Sequence, residues 1–458
     1  MTTDVMRWLW AAIAVALWLG LIGLVVARVR ATRRADAAKA SALSGSADGD
    51  AVLVAFASQT GFGEELAWMT ARALTEAGTP ARILSFADLD TAALKVASRA
   101  LFVAATTGEG DAPDSAARMV RRLMAAPTDL SHLSYGVLAL GDRGYDDFCG
   151  FGHAVERWLR ASGAEPLFDT VEVDDGSAAD IRHWQHNLNQ LTGATAAPDW
   201  SPPAYDRWAL VERELLNPGS PGGPAWRLAF APIDHTPSWE AGDIAEIGLP
   251  AHEGEPAPGA REYSVASLPS DGRAEFLIRL MRRPDGTPGL ASGWLTQTLD
   301  VGETVDMRVR TNRSFHAPPP QAPMILIGNG TGIAGLRSHL KARAREPRTG
   351  GAWLLFGERT LAYDAFFDDE LQAWMASGVL TRLDRAFSRD GTEKLYVQAL
   401  VAEHARPLAD WVERGACIYV CGSLEGMSRG VHAALEAVLG EETLQALTES
   451  GRYRRDVY

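Results

Sequence analysis

The feature that most constrains this chain is an alternation. Short apolar runs are each followed by a polar, glycine-bearing loop and then by a helical pattern. The early runs are Val52–Ala57, Ala100–Ala105 and Tyr135–Leu140, and the late ones are Met324–Gly328, Gly351–Gly357 and Cys417–Gly422. Strands alternating with helices predict parallel, doubly wound sheets. Between the two blocks the helix signals thin out. Runs such as Ala274–Arg282 and Glu303–Val309 there predict a small antiparallel β-barrel. The division is an α/β unit over 51–193, a linker over 194–204 with Pro198, Pro202 and Pro203, a barrel over 205–320, and a second α/β unit over 321–458. Apart from a polar stretch near the N-terminus, only the loop Asn217–Pro224 reads as low complexity.

The N-terminal region is of another kind. From Trp8 to Ala27 there are 20 residues without a charge. At 1.5 Å per residue a helix of that length spans about 30 Å, one hydrocarbon thickness. Trp8, Trp10 and Trp18 suit interfacial anchoring, and Arg28, Arg30, Arg33 and Arg34 follow at once. The expectation is a single transmembrane helix over 8–27 that engages membrane lipid, then a basic, flexible tether over 28–50. The positive-inside rule puts everything that follows in the cytoplasm. A cleaved signal peptide would have a shorter apolar region, with its basic cluster first.

Fifty-eight acidic against 44 basic residues give a net charge of −14, which argues against nucleic-acid binding and suits the steering of a basic partner. Three cysteines, Cys149, Cys417 and Cys421, form neither a disulfide framework nor a CxxC pair, and fit a reducing compartment. His183 and His186 have no companions at metal-ligand spacing, so no metal is expected.

Ser58-Gln59-Thr60-Gly61-Phe62-Gly63 follows the first strand and opens a helix. Hydroxyls and free N–H groups at a helix start make a phosphate cradle; an ordinary capped helix is the other reading. Thr106-Thr107-Gly108 follows the next clear strand, and Gly141-Asp142-Arg143-Gly144-Tyr145 the third. All three loops fall at the carboxyl ends of strands, where such sheets bind ligands. In order and spacing the trio resembles flavodoxin-type FMN domains. The resemblance implies FMN contacts from Ser58, Gln59, Thr60, Gly61, Phe62, Gly63, Ala105, Thr106, Thr107, Gly108, Leu140, Gly141, Asp142, Tyr145, Phe148 and Asp174. Thr107 stands where microsomal relatives have a stacking tyrosine.

In the barrel, Arg261-Glu262-Tyr263-Ser264 offers a cation for a pyrophosphate, a ring for stacking and a hydroxyl for a flavin nitrogen. Gly289-Leu290-Ala291-Ser292 forms a turn whose N–H groups suit phosphate. The pair resembles the FAD site of the ferredoxin–NADP reductase family. Gly328-Asn329-Gly330-Thr331-Gly332 then follows a strand, and Arg359 ends the next one. Ser388, Arg389, Lys394, Tyr396 and Gln398 bring a hydroxyl, two cations and an aromatic together. Alone they read as a solvated loop. Matched to the family, Thr331, Gly332, Arg359 and these five imply NADPH over NADH. Cys421 alone reads as core. The resemblance places it beside the nicotinamide with Ser264 and Asp456, and makes Tyr458, where the sequence ends, the ring that covers FAD.

Over residues 51–458 the chain resembles diflavin reductases, most nearly the flavoprotein subunits of bacterial sulfite reductases. Only residues 206–260 separate Tyr205 from Arg261, so most of the helical connecting domain of larger relatives is expected to be missing. The resemblance implies an NADPH-dependent flavoprotein reductase with FMN, FAD and NADPH as cofactors; the apolar span, in which the chain departs from those relatives, would anchor it in a bacterial inner membrane. Its acceptor would be a separate haem or metal redox protein. The competing expectations are a self-sufficient reductase of ferric chelates or quinones and, remotely, a non-catalytic membrane-tethered interaction protein.

Overall fold

The computed structural model describes residues 51–193, 200, 204–250, 259–347 and 350–458. The proposed span 8–27, the tether and most of the linker 194–204 lie outside the described residues. Among the described residues no helix is long and apolar enough to cross a membrane.

Three sheets organise the chain. The first is parallel and six-stranded: β1 (Val52–Ala57), β2 (Ala81–Ser85), β3 (Arg99–Ala105), β4 (Ser134–Gly141), β5 (Glu165–Pro166) and β6 (Val171–Asp174). Its order is β2-β1-β3-β4, with β5 and β6 both paired to β4. This is the flavodoxin-like order, in which the chain changes direction between β1 and β3 and opens a crevice at their carboxyl ends. The pleat explains the near-continuous apolar run of β1. Val52 and Val54 pack with Leu66, Trp184 and Leu188 of the helices Phe62–Glu76 and Ala178–Thr192. Leu53, Ala55 and Ala57 pack on the other face with Phe151 and Trp158 of the helix Gly150–Ala161. A strand buried on both faces has no polar side to show.

The second sheet is antiparallel: β7 (Asp206–Leu215), β8 (Ala225–Pro232), β9 (Ile244–Ile247), β10 (Arg261–Ser264), β11 (Ala274–Arg279) and β12 (Thr304–Arg310), in the order β10-β9-β12-β7-β8-β11. The expected barrel is thus a six-stranded antiparallel sheet whose end strands, β10 and β11, share no ladder. Just beyond β10, the Ala266 N–H donates to the Glu275 carbonyl at 2.8 Å, which draws the two ends together. Trp208, Phe230, Phe276 and Met307 fill the space the sheet curls around.

The third sheet is parallel: β13 (Met324–Asn329), β14 (Ala352–Glu358), β15 (Arg382–Phe387), β16 (Cys417–Gly422) and β17 (Tyr453–Val457), in the order β15-β14-β13-β16-β17. The strand β17, which carries Asp456, was not anticipated; it is an edge strand paired with β16 from Ile418↔Tyr453 to Gly422↔Val457, and the Tyr453 ring is buried.

Charged contacts join the three units. Arg337, on the helix Ile333–Ala344, is 5% exposed and reaches the second sheet, donating to Glu275 at 2.7 Å and to the Ala266 carbonyl at 3.0 Å. The first unit docks on the other two largely through its acids. Glu65 pairs with Arg308 at 2.7 Å, Glu64 with Arg313 at 3.1 Å, Asp175 with Arg261 at 3.4 Å, and Asp114 with Arg455. At one edge the signs reverse, with Arg121 on Glu449.

Burial pushes the Glu275 carboxyl up, but the charge and hydrogen bond of Arg337 outweigh it and hold the group below its ordinary range. A depressed carboxyl contributes stability above its unfolded pKa and loses it as pH falls through the lower folded value. Arg337→Ala leaves Glu275 buried without its main partner. It should cost about 3–5 kcal/mol, read as a fall in the urea midpoint at pH 7, and the gap to wild type should narrow on acidification.

Candidate functional site

The carboxyl ends of β1, β3 and β4 open on a cavity of about 360 Å³. Ser58, Gln59, Thr60, Phe62 and Gly63 line one side, and Ala105, Thr106, Thr107 and Gly108 another. Leu140, Gly141, Asp142 and Tyr145 complete the wall on the first unit. The Ser58 hydroxyl accepts from the Gly61 N–H at 2.9 Å and the Gly63 N–H at 3.2 Å, so its own proton is free to donate. Thr106 Oγ1, from the same loop set, is buried with no protein partner. A phosphorylated flat ring fits these observations: an orphan hydroxyl, a free hydroxyl proton at a helix start, and little side-chain bulk along Gly108 and Gly141.

Three residues expected at this cavity are placed elsewhere. Gly61 stands at φ +90°, and a Cβ there would lie 2.3 Å from the Thr311 carbonyl, so it is a contact between units. Phe148 packs against the core with the Arg143 guanidinium 4.3 Å above its ring. Asp174 accepts the Arg143 N–H at 2.9 Å. Asp175, at φ +43°, turns the chain so that it, and not Asp174, lines the cavity.

The far wall comes from the other units: Glu262, Leu424, Arg455, Val457 and Tyr458. Tyr458 also lines a second cavity of about 690 Å³ at the carboxyl ends of β13, β14 and β15. Its hydroxyl donates to Thr331 Oγ1 at 3.1 Å. Beside it, the Ser264 hydroxyl donates to Asp456 Oδ2 at 2.7 Å, and the Cys421 thiol meets the same oxygen at 3.6 Å. These three come from β10, β17 and β16, and the register sets Cys421 opposite Asp456. Burial pushes the Asp456 carboxyl up, and the bonds from Ser264 and Cys421 only partly offset this. Burial, then the neighbouring Asp456, pushes the Cys421 thiol well above its ordinary value. The cluster holds protons; it does not present a thiolate.

Of the residues expected to meet a nucleotide, Thr331, Arg359, Ser388, Arg389, Tyr396 and Gln398 line the second cavity. Gly332 does not: a Cβ there would lie 2.1 Å from the Cys421 carbonyl, so its bareness serves the packing of β13 on β16. Lys394 stands in the exposed bend between Arg389 and Leu395 and is not part of the cavity lining. Arg279, Asn329 and Glu358 line it unforeseen; Arg279 and Glu358 form a buried ion pair. Of the expected FAD residues, Arg261 is half exposed, paired to Asp175 and to carbonyls of its own loop. Glu262 turns to the first cavity and pairs with Arg310. Tyr263 lies edge-on to Phe276 at 6.3 Å. In the turn Gly289, Leu290, Ala291 and Ser292, the Ser292 hydroxyl accepts the Met281 N–H at 3.1 Å. The half-exposed guanidinium of Arg261, held by Asp175, and the ring of Tyr263 on one strand fit a flavin dinucleotide.

Residues 54–184 match the flavodoxin family, and residues 326–433 match the oxidoreductase NAD-binding domain family. The chain is a flavoprotein oxidoreductase. The cofactors of that arrangement are FMN, FAD and NADPH. Among curated relatives, the sulfite reductase [NADPH] flavoprotein alpha-component of Vibrio cholerae is 28% identical over 92% of this chain and 88% of its own length. The Bacillus subtilis protein of the same name is 26% identical over 96% and 95%. These likenesses support a diflavin reductase. The Vibrio cholerae alignment runs over 551 positions but takes in only 92% of this chain, so roughly 130 of them have no counterpart here.

Arg308 and Arg310, which reach across to the first unit, were missed in the sequence. Their spacing on one face of a strand is the signal that was there to read.

All three cysteines are buried, and burial pushes Cys149 up to about 12. Native protein treated with iodoacetamide at pH 8 should take up no label, whereas urea-unfolded protein should be labelled at all three. Native labelling of Cys421 would show that the Ser264–Asp456–Cys421 cluster opens in solution.

Proposed function

We propose that this protein is a membrane-anchored NADPH-dependent diflavin reductase that delivers electrons to a separate redox protein. The observation that carries the reading is the position of Tyr458, which forms a wall of both the first-unit cavity and the nucleotide cavity, beside the Ser264–Asp456–Cys421 cluster. Bound in these sites, FAD would supply two-electron hydride chemistry with NADPH, and FMN would supply one-electron transfer toward the acceptor.

The residues have distinct tasks. Ser58, Thr106 and the loops around them hold FMN. Arg261, Tyr263 and the turn at Gly289–Ser292 hold FAD. Thr331 has two claims on it. It accepts the Tyr458 hydroxyl, and it sits in the glycine loop that receives the nucleotide. A nucleotide bonded to Thr331 would leave the Tyr458 side chain without its one hydroxyl bond and free to move aside. Ser264 and Cys421 keep their protons on Asp456 and so orient a polar edge toward the site of hydride transfer. The first unit, held by ion pairs worth about 0–1 kcal/mol each where exposed, can leave for an acceptor, with 194–204 as the hinge. Four of those pairs use its acids, so the acceptor is expected to present a basic face. The anchor at 8–27 and a cytoplasmic placement rest on the sequence argument. Reduction of small acceptors such as ferric chelates or quinones is the second reading.

Flavin released from purified protein should contain equal FMN and FAD by chromatography. Absence of FMN would overturn the two-flavin reading. Co-purification from membranes with a haem or metal protein that the reduced enzyme reduces decides between the two acceptor classes.

NADPH should be preferred to NADH. Arg389→Ala should remove most of the preference, since a charge-assisted bond to a 2′-phosphate is worth about 1.5–3 kcal/mol. Lys394→Ala should remove little. Steady-state kinetics with both nucleotides reads this.

Protease added to intact spheroplasts should leave the folded units uncut. Cleavage from outside would reverse the topology.

A further inference from the structure

The loop 216–224 joins β7 to β8 in the second sheet, bonds there to Arg279 and Leu280, and also reaches into the third unit. Asn217 Nδ2 donates to Asp364 Oδ1 at 3.0 Å, and the Ser220 hydroxyl to Asp364 Oδ2 at 3.0 Å. Thr360 adds two more bonds to Asp364 Oδ2, from its N–H at 3.1 Å and its hydroxyl at 2.8 Å. Asp364 is fully buried. A buried carboxylate with four donors is a rigid post, since each bond stripped from it leaves charge unsatisfied. Asn217 also accepts the Ala225 N–H at 2.7 Å, and Ser220 the Gly222 N–H at 3.0 Å, which fixes the loop from within.

What the post holds in place is Gly222. A Cβ on Gly222 would lie 2.0 Å from Arg359 Nη1 and 3.0 Å from Arg359 Cζ. The guanidinium therefore lies directly against the bare α-carbon. Arg359 lines the nucleotide cavity, and among the described residues no carboxylate lies within 4.0 Å of its guanidinium. Its carbonyl accepts the Arg389 N–H at 2.8 Å, which ties it to the segment carrying Ser388 and Arg389. A guanidinium without an ion pair, lining the same cavity as a second arginine, suits a dianion.

We propose that the loop 216–224, anchored on Asp364, is a specificity-determining element. It sets the Arg359 guanidinium on the 2′-phosphate of the nucleotide, with Gly222 and Asp364 as positioning residues. The inference rests on the NADPH reading above and adds that recognition of the 2′-phosphate is built partly from the flavin-binding sheet.

The test is calorimetric binding of adenosine 2′,5′-bisphosphate and of 5′-AMP to the full chain, which separates the 2′-phosphate from the rest of the nucleotide and needs no turnover. In Gly222→Ala the added methyl meets the far end of a flexible side chain, so the backbone is spared and the guanidinium is displaced. The expected result is about a tenfold loss of bisphosphate affinity, equivalent to about 1.4 kcal/mol, with 5′-AMP affinity and the thermal midpoint unchanged. Ser220→Ala, which loosens the post without touching Arg359, should lose about two- to threefold in the same selective way. In NADPH kinetics both changes should appear in KM, with kcat retained. Unchanged bisphosphate affinity in Gly222→Ala, while Arg359→Gln weakens it, overturns the proposal and leaves the function intact. Equal losses for both ligands overturn the assignment to the 2′-phosphate. A wild-type protein that binds the two ligands equally well would defeat the NADPH reading itself.

Discussion

The parallel pairing of β17 with β16 is the constraint on which the site depends. A parallel ladder admits one register where both strands are packed, because a slip of one residue turns every side chain to the opposite face. The buried ring of Tyr453 fixes that register at one end. From it follow the facing of Cys421 and Asp456 and the arrival of Ser264 at the same carboxylate oxygen. Two further backbone bonds, from the Leu424 N–H to the Tyr458 carbonyl and from the Tyr458 N–H to the Gly422 carbonyl, carry the order past the strand. They leave the Tyr458 side chain between the two cavities, free apart from one hydroxyl bond to Thr331.

A second layer of organisation is electrostatic. A chain with an excess of 14 acidic residues nonetheless gathers Arg261, Arg308, Arg310, Arg313 and Arg455 on the face that receives the first unit. Their neutralisation is not uniform. Arg310 is buried, bonded to Glu246 and Glu262 within its own sheet, and reaches Thr60 across the gap. Arg313 and Arg261 are half exposed. A contact made mainly of partly solvated ion pairs weakens with salt and adds little cohesion per pair. That suits a unit that has to separate. The Arg337–Glu275 pair between the second and third sheets is by contrast fully buried, and suits two units that stay together.

Most of the fold was legible in the sequence, because both parallel sheets consist of apolar runs ending in loops with few possible uses. The loops at Ser58, Thr106 and Gly141, which line the first cavity, and Thr331, Arg359 and Arg389, which line the second, could be picked out from order and spacing. Phe148, Asp174, Gly61 and Gly332, expected at ligands from their place in a motif, do not line the two cavities, and a positive φ at Asp175 or a backbone contact at Gly61 and Gly332 decides which residue does. Lys394, expected there from the order and spacing of its segment, is exposed and outside the cavity lining that begins again at Leu395.

By itself the sequence determined the apolar runs that become the central strands, that two of the sheets are parallel, and which loops end those strands. These follow from local periodicity and from residues adjacent in the chain. Only the tertiary structure decided that Ser264, Cys421 and Asp456 share one oxygen, that Tyr458 walls both cavities, and that Gly222 backs Arg359. Each joins residues far apart in sequence, and their meeting depends on strand register and sheet order, which no local pattern encodes.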